Sequence, residues 1–168
     1  MSNLRLLNET TVSSSVSTVT VTDAFSSDFD VYKIVTTLTS GGDGDGSLQY
    51  VNDAGTVLVD GTYDYGLHIL KAETGFFDYK GQNQTTVAAA TYCGDEGGGT
   101  VMYVFNPFSD SSYTYGIVER IGKASGNFRA YKGMNVHKNN VSVSGFKFTF
   151  DVNATGGLIR TYGIRVDA

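Results

Sequence analysis

The sequence is poor in several residue types, and each shortage excludes a class of protein. Its 168 residues include one cysteine, one proline and no tryptophan. The lone Cys93 cannot form an intrachain disulfide, so stability must come from packing or from contacts between subunits. No stretch approaches the ~20 apolar residues of a membrane-spanning helix, and the opening residues MSNLRLLN lack the apolar core of a signal peptide. We therefore expect a protein that is made in a cytoplasm.

Charged residues are also scarce. They make up 17 % of the chain, and the net charge is −5 with an isoelectric point near 4.8. An acidic chain has no overall attraction for phosphate backbones or for anionic lipids. We therefore expect neither nucleic acid nor a membrane among the partners.

What the chain does contain favours strands. Glycine occurs 21 times and aromatic residues make up 12 % of the chain, whereas strong helix formers are scarce in every window. Short alternating segments are separated by turn residues every eight to twelve positions, as in sandwiches and barrels. We predict an all-β fold, specifically an antiparallel, jelly-roll-like β-sandwich. Residues 1–10 are expected to form an N-terminal arm or an edge strand, and residues 11–168 a single domain.

Two segments give the clearest strand patterns. Residues 141–152 alternate between apolar and polar side chains, and residues 158–166 form a β-branched and aromatic run after the turn-rich segment Asn153–Gly157. This arrangement predicts a β-hairpin over residues 141–166. Residues Phe29–Leu38 are apolar on both faces over much of their length. This pattern predicts a central strand with one face on the core and the other against a second layer or a subunit.

Two glycine-rich segments resemble ligand-binding loops only superficially. Asp43 and Asp45 could suggest calcium, but an EF-hand register would place Leu48 at the glycine position and Ala54 at the position of the bidentate glutamate. The run Gly94–Gly99 lacks the lysine of a phosphate-binding loop. We therefore predict neither a metal site nor a cofactor.

The remaining candidates for catalysis are isolated in the sequence. His68 lies in a predicted strand and His137 in a predicted polar turn, and neither has a metal-ligand neighbour at a typical spacing. No nucleophile motif surrounds Cys93. Acidic pairs could serve a glycosidase only if the fold placed them across a cleft. We predict no catalytic residues.

Two segments are rich in aromatic residues. The densest cluster, Phe76–Tyr79, precedes the predicted polar loop Lys80–Thr86. For the second segment, Asn106–Tyr115, we expect burial of the rings beneath the loop. The alternative is a glycan platform, because exposed rings stack on sugar faces. The candidate glycan contacts are Phe108, Tyr113 and Tyr115.

Three segments of the chain resemble virion structural domains of tailed bacteriophages. They are Asp28–Val35 (DFDVYKIV), Ser144–Phe150 (SGFKFTF) and the terminal run of residues 156–166 (GGLIRTYGIRV). In that group an aspartate-x-tyrosine pattern opens a strand, and a glycine- and arginine-containing run closes the chain. The resemblance implies a jelly-roll-like sandwich found on capsid surfaces and tail appendages, commonly as a homotrimer.

This resemblance leads to the functional prediction. We expect a non-enzymatic virion protein, most simply a capsid decoration or cement protein, whose partners are further copies of itself, with a trimer favoured, and other virion proteins such as the major capsid protein. A tail-fibre or tail-tip module that binds a host glycan is the first alternative, and a carbohydrate-active enzyme is the second. The candidate interface residues are Leu4, Leu6, Leu7, Phe29 and Val31.

Overall fold

The computed structural model describes residues 4–124 and 126–165. Within these ranges the chain is all-β, which confirms the predicted class. The strands are β1 (Leu4–Val12), β2 (Val16–Val21), β3 (Val31–Ser40), β4 (Gly44–Asn52), β5 (Tyr63–Lys71), β6 (Gly75–Gln84), β7 (Val87–Gly94), β8 (Gly98–Phe105), β9 (Thr114–Ala124), β10 (Asn127–His137) and β11 (Val143–Ile164). None of the described residues belongs to a helix long and apolar enough to cross a membrane.

The strands form one continuous network around β11. Its second half pairs with β1 on one side and β3 on the other, and the sheet continues through β8, β9, β10 and β5 to the edge strand β6. Its first half lies between β2 and β4, and β4 continues to β7. A short parallel pairing of β7 with β3 closes a ring of the strands β11, β4, β7 and β3.

The predicted hairpin over residues 141–166 is wrong. Residue 166 lies outside the described residues. Residues Val143–Ile164 form a single 22-residue strand, and the turn-rich part, Asn153–Gly157, lies inside that strand where the pairing register shifts. Each half already has a partner strand on both sides, so the two halves have no need to pair with each other. Glycine in this segment therefore allows an irregular ladder rather than a chain reversal.

The predicted central position of the Phe29–Leu38 segment is confirmed by strand β3. It pairs with β11 on one edge and with β8 on the other. Its even-numbered side chains, such as Tyr32 and Ile34, are buried in the hydrophobic core, whereas Val31 and Val35 are half-buried on the opposite face. Period-two alternation thus gives β3 one core face and one outer face.

Two expectations about loops are wrong. His137 lies at the end of strand β10 and is buried, because β10 continues to pair with β5 and β9 up to that residue. The polar segment Lys80–Thr86 belongs largely to strand β6, which pairs with β5 as far as Gln84. At a sheet edge, ladder hydrogen bonds hold a strand even where its side chains are polar.

Candidate functional site

The largest functional candidate is one face of the sheet formed by β1, β11, β3, β8, β9, β10, β5 and β6. Directly paired residues lie on the same face, so the register brings side chains from all eight strands into rows. We call this surface the outer sheet face. One of its rows runs from β1 to β10 through Leu6, Tyr162, Lys33, Tyr103, Ile117 and Met134.

The neighbouring row carries charges that are paired within the chain. It contains the ion pairs Glu9–Arg160 at 2.6 Å and Glu119–Lys132 at 2.7 Å, and a hydrogen bond of 3.0 Å between the His68 imidazole and the Asp78 carboxylate. Their positions follow from the strand register, in which each acid lies directly opposite its base. The row therefore adds little uncompensated charge to the face.

Between its charged residues, the outer sheet face carries large apolar side chains that are exposed. Ile121 is 60 % exposed, Met134 52 % and Ile117 43 %. The face also contains a hollow of about 500 Å³. Gly99, which has no side chain, leaves this space open between Thr37 and Ile121. Contiguous exposed apolar surface of this kind marks interaction sites in soluble proteins.

The structure brings together some of the predicted interface residues. Leu4 and Val31 lie on opposite sides of the same β11 residue on the outer sheet face, and Leu6 lies two positions further along β1, 50 % exposed. Leu7 is the bulge residue of β1 and packs against the core instead. Phe29 is likewise packed against the core. Strand β1 itself is the edge strand of the eight-stranded run.

The candidate glycan residues divide into two environments. Tyr113 and Tyr115 are 40 % and 47 % exposed, and their ring centroids are 6.4 Å apart. Phe108 is half-buried and lines a separate small cavity of about 170 Å³ with Phe29. The structure therefore pairs two of the three rings and separates the third from them.

A cleft of about 490 Å³ lies between strand β6 and the wall formed by β4, β7 and β11. We call it the β6 cleft. Phe77 and Tyr79 line it from β6 and are 41 % and 42 % exposed, because β6 is an edge strand whose inward side chains extend past the core. The opposite wall includes Ala88, Ala89 and Phe150 and also supplies four polar side chains. They are Asp45, Ser47, Thr149 and Asp151.

Both carboxylates of the β6 cleft are held in place by hydrogen bonds. Asp45 accepts a hydrogen bond of 2.7 Å from the buried guanidinium of Arg120, which also donates to the Thr91 carbonyl and lies 3.6 Å from the Tyr131 ring centroid. Asp151 accepts hydrogen bonds from the backbone N–H groups of Asp45 at 2.6 Å and of Val152 at 2.9 Å. The two acids therefore lie on the same wall, facing the aromatic rings.

Sequence reasoning did not select the β6 cleft. Phe77 and Tyr79 belong to the densest aromatic cluster of the chain, and this cluster is the sequence feature that could have indicated the cleft. Asp45 and Asp151 are 106 positions apart in sequence. Only the pairing of β4 with β11 brings them together, and the spacing of residues along the chain does not predict that pairing.

The titratable residues considered for catalysis are buried or paired. The Cys93 thiol is fully buried, and this burial raises its pKa to about 11. Burial lowers the pKa of His137, against the opposing effect of Asp60, whose carboxylate lies 3.5 Å from the imidazole. Within residues 4–124 and 126–165, no three His, Cys, Asp or Glu side chains cluster closely enough to hold a metal ion.

Comparison with known proteins adds no family to these observations. No protein-family model matches the chain, and no curated protein matches it with significance.

Proposed function

We propose that this chain is a non-enzymatic structural protein of a tailed-phage virion that assembles with copies of itself through the outer sheet face. A capsid decoration or cement protein with a jelly-roll-like β-sandwich is the form we favour, with a trimer as the assembly unit. The observation that carries the proposal is the apolar outer sheet face. Its virion setting rests on the resemblance of three sequence segments to phage structural domains.

The size of the face suits a stable interface. Eight strands spaced about 4.8 Å apart span about 34 Å, and four outward residues at about 6.8 Å spacing extend about 20 Å along each strand. The product is about 700 Å² per subunit, close to the ~800 Å² that each partner contributes to a standard interface. A monomer would leave this area exposed to water, whereas association would bury it and gain the hydrophobic free energy of its apolar side chains.

The paired charges near the middle of the face are compatible with burial. An unpaired charge buried at an interface costs several kcal/mol, whereas a charge with its partner beside it costs less. Glu119 and Lys132 lie near the middle of the face and already form an ion pair. Association would therefore not require a partner subunit to neutralise either group.

The mass of the purified protein, measured by light scattering, tests self-association. We expect three times the 18.0 kDa chain mass for the wild type, and a shift towards monomer for the double variant Ile117→Glu, Ile121→Lys. Val59→Lys is the matched control, because Val59 is 57 % exposed but lies outside the strands of the face. Thermal unfolding establishes that each variant is folded. A monomeric wild type, or a double variant that assembles normally, contradicts the proposal.

The exposed pair Tyr113 and Tyr115 favours the second candidate, a tail-fibre or tail-tip module that binds a host glycan. Immunogold electron microscopy of virions that encode the chain separates the two. Label over the heads supports decoration, and label at the tail tips supports the adhesion module. Virions without label or detectable chain would refute both.

A further inference from the structure

We propose that the β6 cleft is a binding site for a neutral oligosaccharide. The cleft has the size of a small-molecule site, since such pockets commonly enclose about 300–1,000 Å³. It combines an aromatic wall with an opposite wall of oxygen acceptors and hydroxyl groups. This division matches a sugar ring, which has apolar C–H faces and a polar hydroxyl rim.

The aromatic wall supplies the platform. Phe77 and Tyr79 are alternate residues of β6, so they lie on the same side of the strand, about 6.8 Å apart. Lys71 Nζ lies over one face of the Phe77 ring, 4.4 Å from its centroid. The negative ring faces that remain open attract the weakly positive C–H groups of a sugar. Two rings in line along a strand suit consecutive units of an oligosaccharide better than a single monosaccharide.

The acceptor wall favours a neutral ligand over a cation. Asp45 forms an ion pair with Arg120, and Asp151 accepts two backbone N–H groups, so much of their charge is already compensated. Their remaining lone pairs can accept hydrogen bonds from sugar hydroxyls, which are strengthened by the carboxylate charge. The hydroxyls of Ser47 and Thr149 extend this wall with groups that both donate and accept.

The same arrangement favours binding rather than hydrolysis. A glycosidase places its two carboxyl groups on either side of the scissile bond, about 5–9 Å apart. Here Asp45 and Asp151 share one wall, and a carboxylate oxygen of Asp151 bonds to the backbone of Asp45. The facing wall offers Phe77 and Tyr79, which cannot serve as that acid and base pair.

The proposed site does not depend on the proposed self-association. Side chains alternate along β6, so Phe76 and Asp78 lie on the outer sheet face while Phe77 and Tyr79 line the cleft on the other side. Subunits joined through the outer sheet face would leave the β6 cleft open. Failure of assembly and failure of sugar binding are therefore separate results.

The protein is first applied to an array of neutral and charged microbial polysaccharides. Each polysaccharide that binds it is then included in a gel for affinity electrophoresis, in which binding retards the migration of the protein. We expect retention by a neutral polysaccharide and a loss of about tenfold or more for the double variant Phe77→Ala, Tyr79→Ala. Asp151→Asn should weaken retention less, because it keeps the shape and removes only the charge. Thermal unfolding checks that the variants are folded.

The variant Phe76→Ala is the matched control, since it removes an exposed ring from the same strand on the side that faces away from the cleft. It should bind like the wild type. Binding lost in this control but retained without Phe77 and Tyr79 overturns the assignment of the cleft. Binding to no neutral polysaccharide, or only to charged ones, overturns the ligand class.

Discussion

Arg120 offers the sharpest test of how the closed ring of strands is held against β9 and β10. The residue is 3 % exposed, and its guanidinium donates hydrogen bonds of 2.7 Å to the Asp45 carboxylate on β4 and to the Thr91 carbonyl on β7. It also lies over the ring of Tyr131 on β10. One side chain of β9 therefore connects β4 and β7 of the closed ring to β9 and β10, which lie further along the same sheet.

The cost of truncating this side chain follows from these contacts. Removing one partner of a buried ion pair costs about 3–5 kcal/mol. The Asp45 side chain is 41 % exposed, so water screens the carboxylate that Arg120→Ala leaves behind, and we expect a loss of about 2–4 kcal/mol. For a domain of this size the corresponding fall in the melting temperature is about 5–15 °C.

A second variant separates charge from packing. The double variant Arg120→Met, Asp45→Asn retains the volume of both side chains and removes both charges, so it should cost less than Arg120→Ala, because no carboxylate is left without its partner. Chemical denaturation, with calorimetry for the melting temperature, measures both. A loss below about 1 kcal/mol for Arg120→Ala, or a greater loss for the double variant, would refute this account of the Arg120 contact.

Two further predictions concern acid stability and backbone shape. Burial lowers the folded-state pKa of His137 although Asp60 opposes the effect, so the unfolded chain binds a proton first and stability should fall as the pH drops below about 6.5. Between pH 7.5 and 5 the free energy of unfolding, measured by denaturation, should decline less steeply for His137→Gln than for the wild type. An unchanged slope would contradict this role of His137. Gly157→Ala should cost about 2 kcal/mol or more, because φ is +115° there and a Cβ would overlap the Thr37 carbonyl oxygen. Gly41→Ala is the control with open space, and equal stabilities for the two alanine variants would exclude the expected strain.

The outer sheet face shows which features of the fold can be predicted from strand patterns in the sequence. The alternation in β3 and β8 predicts that these segments are strands, and the apolar second face of β3 predicts contact with another layer or subunit. What the pattern cannot give is the order of the strands. The rows on the face arise only when β9 pairs with β8 and β10, since that register aligns Ile117 with Met134 and Glu119 with Lys132.

The sequence by itself determined the class of this protein. Alternation, scarce helix formers and frequent turn residues allow little other than strands, because local backbone preference and side-chain period are properties of short segments. The tertiary structure alone decided that β11 continues as one strand through Asn153–Gly157, since a glycine-rich segment suits a turn or an irregular ladder equally well. It alone placed Asp45 beside Asp151 and both opposite Phe77, because contacts between residues distant in sequence depend on which strands become neighbours.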